Sequence, residues 1–482
     1  MLTPANVNSS SFGKRGLYPV DGRVDAQPLY LSALTVGGVQ HNVLYAVTEH
    51  DSVYAFDADT GTQLWHSSVL PAGEIPSDDR FCFQISPEIG ITATPVIDRS
   101  RGPNGAIYVV AMSKDGAGKY HHRLHALDIT TGAELFGGPT EIVATYPGTG
   151  DNSANGIVTF DPAKYSMRSG VLLLNGKLYT TFRSHCDSRP YTGWVIAYDA
   201  GTLARTNVLN LTPNGNEGAI WMSGAAPTVD DSGNIYLING NGTFDATLDG
   251  NGFPNKQDFG NALIRLSTAG GGLSVADYFT MHNTVTESNN DQDFGSGGAL
   301  VLPDQIDSNG LAHRLVLGAG KDGLLYVLNR DNLGKFNSTT DNVYQEMAGV
   351  FPVGGIYSMP AYFNGVLYYG AVASPIKSFQ INNARVSPFQ QTATSFVFPG
   401  ATPSISANVT SNAILWAVEN NSTAAVLHAY DANDLTHELY NSNQAGSRDN
   451  FGPGNKFITP TIANGKVFVG TPTAVAVFGL LP

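Results

Sequence analysis

The chain has 482 residues, 42% of them hydrophobic and 14% charged, with a formal net charge of -14. That composition supplies ample material for a packed core, and the lack of any basic run argues against a partner held through nucleic-acid phosphates. No stretch is long and apolar enough to cross a membrane, and "MLTPANVNSSSF" carries no basic, apolar leader, so we expect the mature part of a secreted or periplasmic protein.

In chain order, "SSSFGKRGLYPV" reads as a lone strand. A four-strand unit is predicted next, at Asp25–Leu31, Val43–Thr48, Ser52–Asp57 and Gln63–Val69. Its second half, "HDSVYAFDADTGTQLWHSSV" (50–69), returns as "HRLHALDITTGAELF" (122–136), "GWVIAYDAGTL" (193–203) and "HAYDANDLTHEL" (428–439). A second phrase also recurs, as "TATPVID" (92–98), "AAPTVDDSGNIYL" (225–237), "SMPAYFNGVLYYG" (358–370), "ATPSISANVTSNAILWAV" (401–418) and "ITPTIANGKVFVG" (458–470). Each is a short apolar strand, a Gly/Asn/Asp turn and a strand marked by an aromatic, with period-two alternation. No helix-period stretch of useful length interrupts them.

The second strands centre on Tyr45, Tyr108, Tyr179, Tyr236, Val316, Tyr368, Trp416 and Phe468, roughly 60 residues apart. Units of this size with four strands read as propeller blades. The predicted fold is therefore all-β: a single eight-bladed β-propeller over 1–482, with four-stranded antiparallel blades near 25–70, 92–140, 166–210, 223–280, 296–345, 355–398, 401–442 and 458–482. The last unit supplies only three strands. The strand near 10–20 is expected to complete it, which removes exposed sheet edges.

In such blades the turns between second and third strands share one face with the connections between blades. The long insertions (72–91, 113–121, 146–167, 183–192, 214–224, 239–260, 281–298) all fall there, which is where binding and catalysis concentrate. That face carries Glu49, His50, Asp51, Glu88, His185, Asp187, Trp221, Asp291, Asp293 and Lys321. The acidic turns, such as Asp57–Gly61, lie opposite and read as scaffold.

On these segments the chain resembles the quinoprotein alcohol dehydrogenases, eight-bladed propellers that hold pyrroloquinoline quinone (PQQ) and a calcium ion. "GAGKDGLLYVLNRDNLG" (318–334) is similar to the phrase whose basic residue contacts the quinone, which implies that role for Lys321. "NNDQDFGSGGALVL" (289–302) is similar to the stretch whose aspartate is the catalytic base, implying Asp293; the extra acid of lanthanide-type members would fall at Gly295. "NIYLINGNGTFD" (234–245) resembles the strand whose asparagine ligates calcium, implying Asn241, and Trp221 stands where a tryptophan lies against the cofactor. Asp187 is the nearest acid to the calcium-ligating glutamate, one position displaced, so the implied metal set is Asn241, Asp293 and Asp187. The family's adjacent cysteine pair is missing, Cys82 stands alone, and Glu88 occupies the place of an arginine that contacts a cofactor carboxylate.

The resemblance implies oxidation of an alcohol or sugar hydroxyl with PQQ and Ca2+. Two other readings compete on the same face: a carbohydrate-binding or carbohydrate-active propeller using His50, His185, Tyr191 or Trp221, and a non-catalytic interaction scaffold. Without a cofactor, Asp293 is the cap of a Gly-rich loop, Lys321 a charged turn residue, Asn241 a turn former and Trp221 packing. Cys82 and Cys186 sit in same-face loops of neighbouring blades, which allows either a disulfide, as in an exported chain, or two buried thiols. Sequons include those beginning at Asn8, Asn210, Asn241, Asn337, Asn408 and Asn421 and matter only in a secreting eukaryote.

Overall fold

A computed structural model describes residues 1–482. Its strands form eight antiparallel blades in chain order. The first holds Leu29–Val36, Val39–Val47, Ser52–Asp57 and Gln63–Ser68. The next three run from Val96–Asp98 to Thr140–Glu141, from Leu172–Leu174 to Arg205–Asn210 and from Thr228–Val229 to Ser274–Phe279. The following three run from Leu300–Val301 to Gln345–Met347, from Ala361–Phe363 to Arg385–Phe396 and from Ser404–Asn408 to Asp434–Asn441. In the eighth, Thr461–Ala463, Lys466–Gly470 and Ala474–Leu480 take Phe12–Pro19 as their fourth strand, in register from Phe12↔Leu480 to Pro19↔Ala474.

Both blade faces are covered by neighbours, so whole strands such as Ile235–Ile238 and Leu315–Ala319 are buried. The aromatic of the repeat gains a second role here. Its ring fills the space between blades while its hydroxyl donates to a carbonyl of the next blade: Tyr45 to Ile129 (2.8 Å), Tyr108 to Ala200 (2.6 Å) and Tyr368 to Ala432 (2.8 Å). Tyr18 of the completing strand does the same to Ala58 of the first blade (3.0 Å), and Leu44, Phe56, Phe468 and Val475 share one apolar cluster across that seam. Blade eight thus packs on blade one.

The acidic turns are structural, as expected. Asp57 Oδ1 accepts from the backbone N–H of Asp59 and Thr60 (2.9 and 2.8 Å), and Asp128 repeats this with Thr130 (2.8 Å). Such bonds satisfy turn donors and hold the loop shut.

Three local features depart from expectation. The first inner strand begins at Leu29 rather than Asp25 and runs on to Val36, because Gly37 and Gly38, at φ 58° and 83°, supply the two-residue turn that twisted hairpins favour. A helical turn, Thr284–Asn289, lies in the connection before blade five; six residues are too few to show a period in sequence. Ahead of blade two, Ile75–Asp78 pairs with Glu88–Ile89 to make a small hairpin on the rim, and the second strand of that blade extends to pair with it. No helix is long and apolar enough to cross a membrane.

Candidate active site

The inter-blade connections and second-to-third-strand turns converge around a cavity of about 230 Å³. Asp187, Trp221, Asn241, Asp293 and Lys321 all line it, although they come from blades three, four and five and the connections between them. Glu88 does not. It lies in the rim hairpin, where its carboxylate meets His50 Nδ1 at 3.0 Å, so its negative charge has a local partner away from the cavity.

Asp293 is 5% exposed. The chain presents it rigidly: its carbonyl accepts from Lys321 N–H (2.9 Å), the next N–H, of Phe294, donates to Asn261 Oδ1 (2.7 Å), and the buried Phe294 ring packs edge-on against Tyr326 at 5.1 Å. Its Oδ1 lies 2.7 Å from Lys321 Nζ. Burial pushes the Asp293 carboxyl above the usual carboxylate range; Lys321 opposes this, while Asp291 and Asp187 add to it. Burial works against the Lys321 charge as well, but Asp293 and Asp291 outweigh it and hold the ammonium protonated. Lysine and aspartate are therefore one unit, each setting the other's charge.

Asn241 Nδ2 donates to Asp291 Oδ1 (2.8 Å), which leaves Asn241 Oδ1 buried without a partner beside the cavity. Asp187 accepts from Ser184 Oγ (2.6 Å) and from the Tyr191 hydroxyl (3.3 Å). The three residues expected to ligate calcium all line the cavity. Asp187 is turned to its own loop, Asp293 is engaged by an ammonium that repels a second cation at this range, and no group of three His, Cys, Asp or Glu side chains is arranged around a common point.

Several lining residues went unseen in the sequence. Tyr357, Phe398 and Phe457 join Trp221 in an aromatic wall, with ring centroids 4.9 Å apart for Trp221–Phe457, 6.2 Å for Trp221–Tyr357 and 5.5 Å for Tyr357–Phe398. A signal existed: each stands three to six residues before the proline of the phrase that opens its blade, at Pro227, Pro360, Pro403 and Pro460. Arg183 also lines the cavity and had no such signal. At the mouth, Cys82 and Cys186 form a disulfide (Cα–Cα 5.9 Å) that ties the rim hairpin to the blade-three loop.

The eight four-stranded blades make the chain an eight-bladed β-propeller. Solved structures similar to it include the quinohemoprotein alcohol dehydrogenase of Comamonas testosteroni, at 15% identity and a TM-score of 0.64 over 99% of this chain and 78% of that one. Another is a quinohemoprotein alcohol dehydrogenase of Pseudomonas putida HK5, at 13% identity and a TM-score of 0.58 over 100% of this chain and 77% of that one. BamB of Moraxella catarrhalis also matches, at 11% identity and a TM-score of 0.52 over 97% of this chain and 99% of that one. No family model and no curated protein sequence matches the chain. Likeness at this identity assigns the fold and leaves chemistry to the site.

Proposed function

We propose that the protein is an exported quinoprotein-like oxidoreductase that oxidises an alcohol or sugar hydroxyl at this cavity. The observation that carries the reading is the buried Asp293–Lys321 pair facing an aromatic wall in one cavity. The residues fit a planar, acidic quinone: Trp221 and Phe457 offer apolar faces, Lys321 a fixed positive charge, and Asn241 Oδ1 and Arg183 unpartnered polar atoms. When bound, PQQ would accept the two electrons removed from the alcohol.

Asp293 is the base. Its raised proton affinity brings it nearer the operating pH, and its other carboxylate oxygen, which the lysine does not use, would take the proton of a hydroxyl bound in the cavity it lines. Lys321 keeps that carboxylate ionised and aimed. It also supplies the positive field that the resemblance assigns to calcium, so the reading includes no metal step. The aromatic wall favours a substrate with an apolar or sugar-like face. The Cys82–Cys186 disulfide supports an oxidising compartment.

The test is titration of the purified protein with PQQ, followed by Trp221 fluorescence and by dye-linked oxidation of an alcohol and sugar panel, with and without EDTA. Micromolar binding and EDTA-insensitive turnover are expected. No quenching with PQQ at tens of micromolar would sink the proposal. A glycan array would then examine the carbohydrate-binding alternative.

A further inference from the structure

Beside the main cavity lies a narrow annex of about 10 Å³, room for one water-sized group, sharing Gln84, Arg183, Trp221 and Phe457 with it. Arg23, Arg168, Arg183 and Lys456 line the annex against a single acid, Asp25. Asp25 is spoken for by Arg23, at 3.5 Å. The remaining cations have no such partner.

Arg183 is 2% exposed and Arg168 3%. Arg183 Nη1 donates to the Ser184 carbonyl at 3.3 Å, while its Nε and Nη2 are buried with nothing to donate to. Arg168 Nη2 reaches the Lys456 and Phe457 carbonyls at 3.5 and 3.3 Å, its Nε is likewise orphaned, and its guanidinium lies 5.1 Å from the Phe457 ring centroid. The nearby acids give little back. Glu49 is fully buried, and burial together with Asp25 pushes its carboxyl up, which favours its neutral form. Asp187 is exposed and bonded within its own loop.

Two buried guanidinium groups side by side, donors unused and no carboxylate in contact, are costly unless an anion completes them. Burial and the neighbouring Arg168 push the Arg183 guanidinium down to about 10, the direction expected where a compensating anion is missing. Carboxylates match the planar donor fork of arginine.

We propose that Arg183, backed by Arg168, forms an anion subsite that receives a carboxylate of the ligand in the main cavity. The proposal rests on the reading of that cavity as a quinone site and adds to it. The arginine missing from the blade-two loop, where Glu88 stands, is replaced by one presented from blade three. The carboxylate belongs to the cofactor, and a carboxylate on the substrate is the other source the experiment separates.

The experiment compares wild type with Arg183→Gln and Arg183→Lys in the full chain. Binding of PQQ, of its uncharged trimethyl ester and of citrate is followed by Trp221 fluorescence and by the shift in melting temperature. Wild type is expected to bind PQQ more tightly than the ester. Arg183→Gln should lose about 10- to 100-fold for PQQ and little for the ester, with Arg183→Lys between them. Its own melting temperature should be unchanged or higher, because a buried unpaired charge has been removed; a purely structural arginine would lower it. Citrate should raise the melting temperature of wild type and not that of Arg183→Gln.

Equal losses for acid and ester, or a preference for the acid that survives Arg183→Gln, overturns the cofactor-carboxylate assignment. If wild type binds neither quinone form, the quinone reading fails on its own. Citrate stabilisation that depends on Arg183 would then still uphold the anion subsite and point to an acidic substrate, and its absence would overturn the subsite.

Discussion

Replacing Lys321 by methionine keeps the length of the side chain and removes its charge. Asp293, 5% exposed, is then left without its partner at 2.7 Å and with Asp291 nearby. Breaking a buried pair on one side costs about 3–5 kcal/mol. The carboxyl has an escape, however, because it can take a proton and become neutral, so the cost depends on pH. Burial already raises Asp293 above its unfolded value of 3.8, and loss of Lys321 raises it further. A group raised in the folded state contributes its stability fully below the unfolded pKa and loses it as pH rises through the folded one. Lys321→Met should therefore be nearly silent near pH 4 and increasingly harmful towards pH 8. For a chain of 482 residues the unfolding entropy is roughly 1 kcal/mol/K, so about 3 kcal/mol appears as a drop of ~3 °C. The assay is thermal denaturation across pH 4–8 for Lys321→Met, Asp293→Asn and the double variant. The double variant should melt above Lys321→Met at pH 8, since no buried unpaired carboxylate remains. A pH-independent penalty, or a double variant no better than the single one, refutes the coupling between these two residues.

Asp293→Asn should lower dye-linked turnover about 10²- to 10⁴-fold while PQQ binding stays within a few-fold, measured by the same fluorescence titration. Glu287, on the short helix Thr284–Asn289, is pushed up to about 8 from 4.5 by burial and then by Asp322. The folded state keeps its proton after the unfolded chain has released it, so stability should fall between pH 4.5 and about 8, and Glu287→Gln should flatten that slope by on the order of 2–4 kcal/mol in pH-scanned melting. The Cys82–Cys186 crosslink closes a loop of 104 residues, so Cys82→Ser should cost about 5 kcal/mol, seen as a melting temperature lower by roughly 5 °C and no longer sensitive to reductant. An unchanged melting temperature would show that the loops hold together without the bond.

The blades were legible because the signal is repeated and local. An apolar strand, a Gly/Asn turn and an aromatic strand leave the same imprint wherever a blade must pack on both faces, and Tyr45, Tyr108 and Tyr368 share the additional task of bonding the next blade. Lys321 and Asp293 were legible for a different reason, since each sits in a short segment whose backbone must hold it. Asp293 bonds Lys321 through the main chain as well as the side chain, and that constrains the neighbouring Gly and Phe. Arg183 has no such frame. It sits just beyond the second strand of blade three, in a two-residue pairing with Tyr165–Ser166, and only the ring of blades reveals that its side chain ends beside Arg168 with no carboxylate in contact. The first inner strand was misplaced because Asp25 precedes an apolar run that looks continuous, whereas the Gly37–Gly38 turn fixes the register eight residues further on.

Glu88 shows how charge can be redistributed within an unchanged scaffold. In sequence it stands where a cofactor carboxylate should find an arginine, and a negative charge there argues against an acidic ligand. The fold answers on two counts. His50 meets Glu88 on the rim at 3.0 Å, so its carboxylate is turned from the cavity, while Arg168 and Arg183 lie buried on the cavity side without acids of their own. Moving a cation from the blade-two loop to blade three changes no blade and disturbs no apolar cluster, because both segments end on the same face of the ring. On the proposed reading, the propeller keeps one ligand while exchanging the residues that hold it. Segment-by-segment comparison then undercounts such a site, since the arginine proposed to compensate lies about 100 residues away in sequence and lines the same cavity.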